Sequence, residues 1–237
     1  MKRRWEAILM LSALGWAVIG CNHQDMPAPI PPPAPPAPVA VDISLLLSNA
    51  ERGDAAAQYQ LGSAYAQGAG AKMDYKQAAH WYGLAASNKY PAGEAGYGEL
   101  LLAGQGAPRD PSNAIVWLTR AGEAGHVGAQ YDLAFIYESG QGTARNKDLA
   151  VKWCKLAAEG GDKDAQFDYG QRCLVGNGLP KDAVEGLKWL MLAAQQGLPD
   201  AQAALEAARK AAVADDFSQA TQRAAQFSPR SAAAPAR

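Results

Sequence analysis

Three cysteines, three histidines and a recurrent Gly-x-Gly are the parts of this 237-residue chain whose types could do chemistry. A reactive thiolate needs a neighbouring base, cation or second thiol, and a metal needs three or four donors at ligand spacing. A phosphate loop needs its glycines between a strand and a helix. None of these arrangements is assembled here. His23, His80 and His126 are scattered, and the sequence holds no His-x-x-x-His, Cys-x-x-Cys, Gly-x-Ser-x-Gly or Walker pattern. The periodic Gly-x-Gly occurs four times, at Gly68/Gly70, Gly104/Gly106, Gly140/Gly142 and Gly176/Gly178, each time after a helical pattern with no strand signal, which removes the phosphate reading. Cys154 and Cys173 fall on apolar stripes at different heights of antiparallel helices, so two buried thiols are expected rather than a disulfide. Asp162 and Asp164 open a helix, where carboxylates complement the dipole. The residues point to a chain that is not an enzyme and needs no cofactor and no metal.

The elements that carry these residues are set by a strict period. Trp81, Trp117, Trp153 and Trp189 stand 36 residues apart, and the paired glycines keep the same beat. So do Asp74, Asp110, Asn146 and Asp182, and Ala85, Ala121, Ala157 and Ala193. Ala57-Gln58, Ala129-Gln130, Ala165-Gln166 and Ala201-Gln202 open the units, the second reading Gly93-Glu94 instead. A period of this size marks a solenoid, in which neighbouring units bury one another's apolar faces. Within a unit, Ala57, Gln58, Leu61, Gly62 and Tyr65 form one helical stripe, ended by the first glycine of Gly-x-Gly. The Asp/Asn then caps a second helix, with capping-box spacing at Asp74–Gln77 and Asp182–Glu185. Ala78, Trp81, Tyr82 and Ala85 face the core from that second helix, and all four period tryptophans are expected in the buried frame.

The unit that reads Ala57-Gln58, Leu61-Gly62, Tyr65, Gly68, Gly70, Asp74, Ala78, Trp81, Ala85-Ala86 resembles the Sel-one-like repeat, a relative of the tetratricopeptide repeat. The resemblance covers four copies over 54–197, with Ala71, Ala107, Thr143 and Leu179 where the family carries valine. It implies an all-α fold, a right-handed α-solenoid of antiparallel helix pairs. Residues 41–53 are expected to form a capping helix before the first repeat. Residues 198–227 are expected to form two capping helices after the last, the second capped by Asp216, and 228–237 a disordered tail. The chain also differs from the cysteine-rich secreted branch of the family, which has a disulfide in every repeat.

The first forty residues read as an address. Lys2, Arg3 and Arg4 precede an apolar run from Ala7 to Gly20, which suits a signal peptide over 1–20. Val18-Ile19-Gly20-Cys21 resembles a lipobox, which implies lipidation of Cys21, and Asn22 in place of aspartate implies the outer membrane, facing the periplasm. Residues 21–40 hold that cysteine and a proline-rich spacer, Pro27 to Pro38, about 37 Å long if it runs as polyproline II. Without Lys2, Arg3, Arg4 and Glu6 the 22 basic and 23 acidic residues leave a net charge of about −3, against a nucleic-acid partner.

Opposite the core stripe, the first helices present Tyr59, Ser63 and Gln67, then Glu99, then Tyr131, Asp132 and Phe135, then Phe167, Asp168 and Gln171. In superhelices of this kind the first helices usually line the concave surface. Aromatics among acids and amides there suit the grip of an extended peptide, or else they pack between repeats. Lys72, Arg109, Arg145 and Lys181 edge the four loops, and Asp74, Asp110 and Asp182 offset their charge. The resulting expectation is a lipid-anchored interaction scaffold, with a protein or peptide of an envelope or secretion assembly as partner. The competing reading is a peptidoglycan- or glycan-associated envelope protein with a cryptic hydrolase role.

Overall fold

The computed structural model describes residues 43–211 and 214–230. The expected signal peptide, Cys21, the proline-rich spacer and the last seven residues lie outside the described residues. Eleven helices run through the described residues: α1 (Ile43–Glu51), α2 (Ala55–Gln67), α3 (Tyr75–Ser87), α4 (Pro91–Ala103), α5 (Pro111–Glu123), α6 (Val127–Ser139), α7 (Lys147–Glu159), α8 (Lys163–Val175), α9 (Ala183–Gln195), α10 (Pro199–Ala211) and α11 (Ala214–Ala225). Helices α2/α3, α4/α5, α6/α7 and α8/α9 are the four repeat pairs, and each helix from α1 to α9 packs on the next. This is an all-α solenoid. The last helix, α11, packs on α9 and begins before Asp216, the residue expected to cap it.

The caps explain the uniform lengths. Each first helix of a repeat ends on a glycine in the left-handed region: Gly68, Gly104, Gly140 and Gly176. Asp74, Asp110, Asn146 and Asp182 each accept a backbone N–H at the start of the second helix, which satisfies donors the helix itself leaves unpaired. Glu185, however, does not fold back to complete a capping box around Asp182. Its carboxylate accepts from Trp189 Nε1 at 2.7 Å and Lys188 Nζ at 2.9 Å. His126 caps α6 by accepting the Ala129 N–H on Nδ1 at 3.1 Å, and burial holds its imidazole below the usual range, in the neutral form that cap needs.

The core lies between the two helix layers. One apolar cluster runs from Ala95 through Leu118, Leu133, Ile136, Trp153 and Trp189 to Ala224, and two smaller ones sit under α1–α3 and between α3 and α4. Trp81, Trp153 and Trp189 are buried as the period predicts. Trp117 is only half-buried, a correction. Its ring takes the edge of Tyr97 at 5.8 Å and the Arg120 guanidinium at 4.8 Å, so a cation covers what a neighbouring helix does not.

The glutamines of the first three Ala-Gln pairs join a repeat to the unit before it. Gln58 Nε2 donates to the Ala50 carbonyl at 3.0 Å, Gln130 to Gly122 at 2.8 Å and Gln166 to Ala158 at 3.2 Å. Each bond ties the start of a first helix to a carbonyl at the end of the preceding helix that also accepts a turn N–H, from Gly53, Gly125 and Gly161 respectively. Asn88 and Gln196 reach back to the Oε1 of Gln58 and Gln166, at 2.9 Å in both cases. The period of this glutamine is visible in the sequence. Its task is not.

Candidate functional site

The first-helix face is where the sequence places its binding residues, and the structure sorts them. Asp132 is buried, at 8% exposure, and leaves the candidate set as a correction. An inner first helix such as α6 is flanked by helices on several sides, so the exposed arc is narrower than a wheel drawn for a lone helix implies. Tyr59 is half-buried and serves the frame, its ring stacked at 5.6 Å on Tyr82 and tilted at 5.7 Å against Tyr90. Burial pushes the Tyr82 phenol up to about 12.

What remains is one register position repeated four times: Ser63, Glu99, Phe135 and Gln171, each 36 residues from the last. Glu99 and Phe135 are exposed, while Ser63 and Gln171 are half-buried. Phe135 is the large side chain of that row, 55% exposed. Ser63 accepts from Gln67 Nε2 at 2.7 Å on its own helix.

Two polar links cross from α6 to α8 on either side of Phe135 in sequence. The Tyr131 hydroxyl donates to Asp168 Oδ2 at 2.6 Å, and Arg172 pairs with Glu138 at 3.0 Å. Burial raises the Asp168 carboxyl above the ordinary carboxylate range, against the pull of the Tyr131 hydroxyl and of Arg172. Burial, with the Asp168 charge beside it, also drives the Tyr131 phenol well above its usual value, so the phenol stays protonated and donates. Both candidates Tyr131 and Asp168 therefore hold the surface together, and Phe167 is half-buried beside them. The Arg172–Glu138 pair escaped sequence reading. Residue 136, one repeat before Arg172, is isoleucine, so no period signals it.

The remaining chemistry-bearing residues have structural tasks. Cys154 and Cys173 are free and buried, and burial pushes their thiols up to about 12 and about 11. The Cys154 thiol donates to the Ala165 carbonyl at 3.6 Å. Arg109 and Arg145 of the loop edge donate from Nε to the carbonyls of Leu102 and Ser139, both at 3.1 Å, which closes first-helix C-termini. No group of three or more His, Cys, Asp or Glu gathers at metal-binding distance among the described residues.

Comparison with known proteins settles the family. The Sel1 repeat pattern matches residues 55–90, 91–126, 127–162 and 163–198, more than half of the chain. The chain belongs to the Sel1 repeat family. Each matched unit is one helix pair of the fold, closed by the turn that leads to the next. A Sel1 repeat protein of Oxalobacter formigenes is 32% identical with a TM-score of 0.65, over 69% of this chain and 47% of that one. The protein c5321, a protective antigen of uropathogenic Escherichia coli with the same repeat fold, is 27% identical with a TM-score of 0.68, over 78% of this chain and 40% of that one. This Sel1 repeat chain thus matches less than half the length of either relative. No curated protein matches it.

Proposed function

We propose that this chain is a non-enzymatic scaffold that binds a protein segment on its first-helix face. The Sel1 repeat fold is typically a non-catalytic interaction scaffold, and solenoids of this kind expose long binding surfaces. The observation that carries the reading is the Ser63–Glu99–Phe135–Gln171 row, with an exposed phenyl ring in a polar setting and cross-repeat links at Tyr131–Asp168 and Glu138–Arg172. Links made before binding hold the rim in one arrangement, which lowers the entropy lost on association. The partner that fits is an extended segment with an apolar side chain over Phe135 and polar groups to either side. By the lipobox-like Val18–Cys21, that partner belongs to an envelope or secretion assembly, with the chain anchored through Cys21 to the outer membrane on its periplasmic side.

A photo-crosslinking residue at position 135 tests the face. A discrete adduct with one envelope protein at 135, and none from a probe at the second-helix position 84, is the expected result. Adducts from 84 alone, or none from 135, would overturn it. Separately, Cys21→Ser is expected to release the chain from the membrane fraction; a variant still sedimenting with outer membranes removes the anchor from the proposal.

A further inference from the structure

The second-helix layer carries a peptide already seated on it: the chain's own C-terminal segment. After α11, Phe227 meets Trp189 edge-on at 5.2 Å, and the Lys188 ammonium lies 4.0 Å from the Trp189 ring centre and 5.8 Å from that of Phe227. Three residues on, Arg230 closes the contact twice. Its N–H donates to the Glu159 carbonyl at 2.8 Å, and its guanidinium pairs with the Glu159 carboxylate at 3.1 Å. The segment expected to be wholly disordered from Ser228 is therefore placed as far as Arg230, crossing the groove between α7 and α9.

The receptor for that segment is a trio, Glu159, Lys188 and Trp189. One repeat earlier the same register gives Glu123, Lys152 and Trp153. The first two repeats break the trio, with Glu51–His80–Trp81 and Ser87–Val116–Trp117. So two grooves carry the chemistry that holds an aromatic ring and an arginine, and the tail crosses one of them. The other lies between α5 and α7, with a cavity of about 330 Å³ lined by Glu123, Lys152, Trp153, Val127 and Leu156. Its Lys152 ammonium already stands 5.4 Å from the Trp153 ring. Glycine replaces alanine at its inner wall: Gly122 occupies the position of Ala50, Ala86 and Ala158, and a β-carbon there would come 3.1 Å from Trp153. Arg230 is itself one of the residues lining this cavity.

We propose that the α5/α7 groove binds a partner peptide with the chemistry of Phe227–Arg230, an aromatic side chain followed three residues later by an arginine. The ring lies against Trp153 under Lys152, and the guanidinium pairs with Glu123, as the tail does one repeat on. Aromatic packing supplies the buried area, and the arginine–carboxylate pair fixes direction and spacing. This surface is distinct from the first-helix row, and either can fail without the other.

The test uses the full chain and a capped synthetic peptide of residues 224–231, followed by backbone-amide NMR shifts. Saturable binding with shifts at Gly122, Val127 and Trp153 is expected. Glu123→Lys, a change at an exposed position, should weaken it at least tenfold, as should Phe227→Ala or Arg230→Ala within the peptide. Releasing the tail with Glu159→Ala should add a second binding equivalent around Trp189. Shifts confined to the Trp189 region, or affinity unmoved by Glu123→Lys, would overturn the proposal. So would binding seen only in a chain ending at Arg230, because the groove would then be covered by the chain's own last residues.

Discussion

At the junction of repeats 3 and 4, Gln166 clasps the Ala158 carbonyl and is itself held by Gln196. At the junction of repeats 1 and 2 the same position is Glu94, buried at 5% exposure, and the residue before it is Gly93 instead of alanine. An ionised carboxylate has no proton to give a carbonyl, so the clasp cannot form there. Close backbone approach takes its place. A β-carbon on Gly93 would lie 2.5 Å from that of Ala85, and one on Gly106 would lie 1.9 Å from the Tyr75 carbonyl oxygen. At the later junction a β-carbon on the counterpart of Gly106, Gly178, would meet a methyl of Val151 at 2.9 Å, with Lys147 no nearer than 3.9 Å. One family position thus has two solutions, an amide clasp or a glycine seam with a buried acid facing Arg120 and Lys89. The lesson is that a repeat period specifies where units join without specifying how.

The largest effect expected from this contrast is at the loop. Gly106→Ala should cost about 3 kcal/mol or more, from the left-handed backbone and a collision with rigid main chain, while Gly178→Ala should cost about half as much because a side chain can yield. Denaturant melts of the two variants check the order, and equal losses would dissolve the distinction between the junctions.

Gln166→Glu places the early junction's acid in the late one without its glycine. A loss of about 2 kcal/mol is expected, since the Ala158 carbonyl keeps only the Gly161 N–H of its two donors and a charge is buried beside it. Hydrogen exchange should show repeat 4 and the C-terminal helices opening sooner.

Gly93→Ala converts the early junction toward the others from its other half. Overpacking of about 1–3 kcal/mol outweighs the helix propensity gained, about 1 kcal/mol, so a modest net loss is expected in thermal melts.

Glu94→Gln should stabilise the chain by about 1 kcal/mol at neutral pH. Burial holds the Glu94 carboxyl above its ordinary range, with Arg120 and Lys89 acting the other way. Its raised folded-state value means the native chain holds the proton more tightly than the unfolded one. Stability is therefore lost as pH rises through that value. The gain from the amide should be full near pH 7 and vanish below the ordinary carboxylate range, at about pH 4. A gain independent of pH would mean that the charge is not what distinguishes this junction.

The smallest effect is at Lys89, which holds φ of 56° where Gly125, Gly161 and Gly197 stand in the other repeats. Lys89→Gly should relieve the strain and gain up to about 1 kcal/mol of unfolding free energy in denaturant melts, less the chain entropy glycine adds and any loss of attraction to Glu94.

Legibility followed repetition. The helix pairs, their caps at Asp74, Asp110, Asn146 and Asp182, the paired glycines and the two buried thiols were readable, because each answers a local rule or recurs in register. The clasping glutamine recurs just as plainly, but its partner sits eight residues back on another helix, and no local rule names it. The binding face was half legible. The wheel found Phe135, yet it also offered Asp132, which neighbouring helices bury, and Tyr59, which Tyr82 and Tyr90 absorb. The docked Phe227–Arg230 was missed altogether, since a short unrepeated segment carries no period.

By itself the sequence determined the repeat unit and its boundaries, because backbone capping and helical periodicity act within a few residues. Tertiary structure decided which side chains on that frame remain outside, since exposure depends on neighbours a whole repeat away. Phe135 projects while Asp132 does not, Glu159 is taken by Arg230, and Glu123 lines a groove. Those differences come from packing between units.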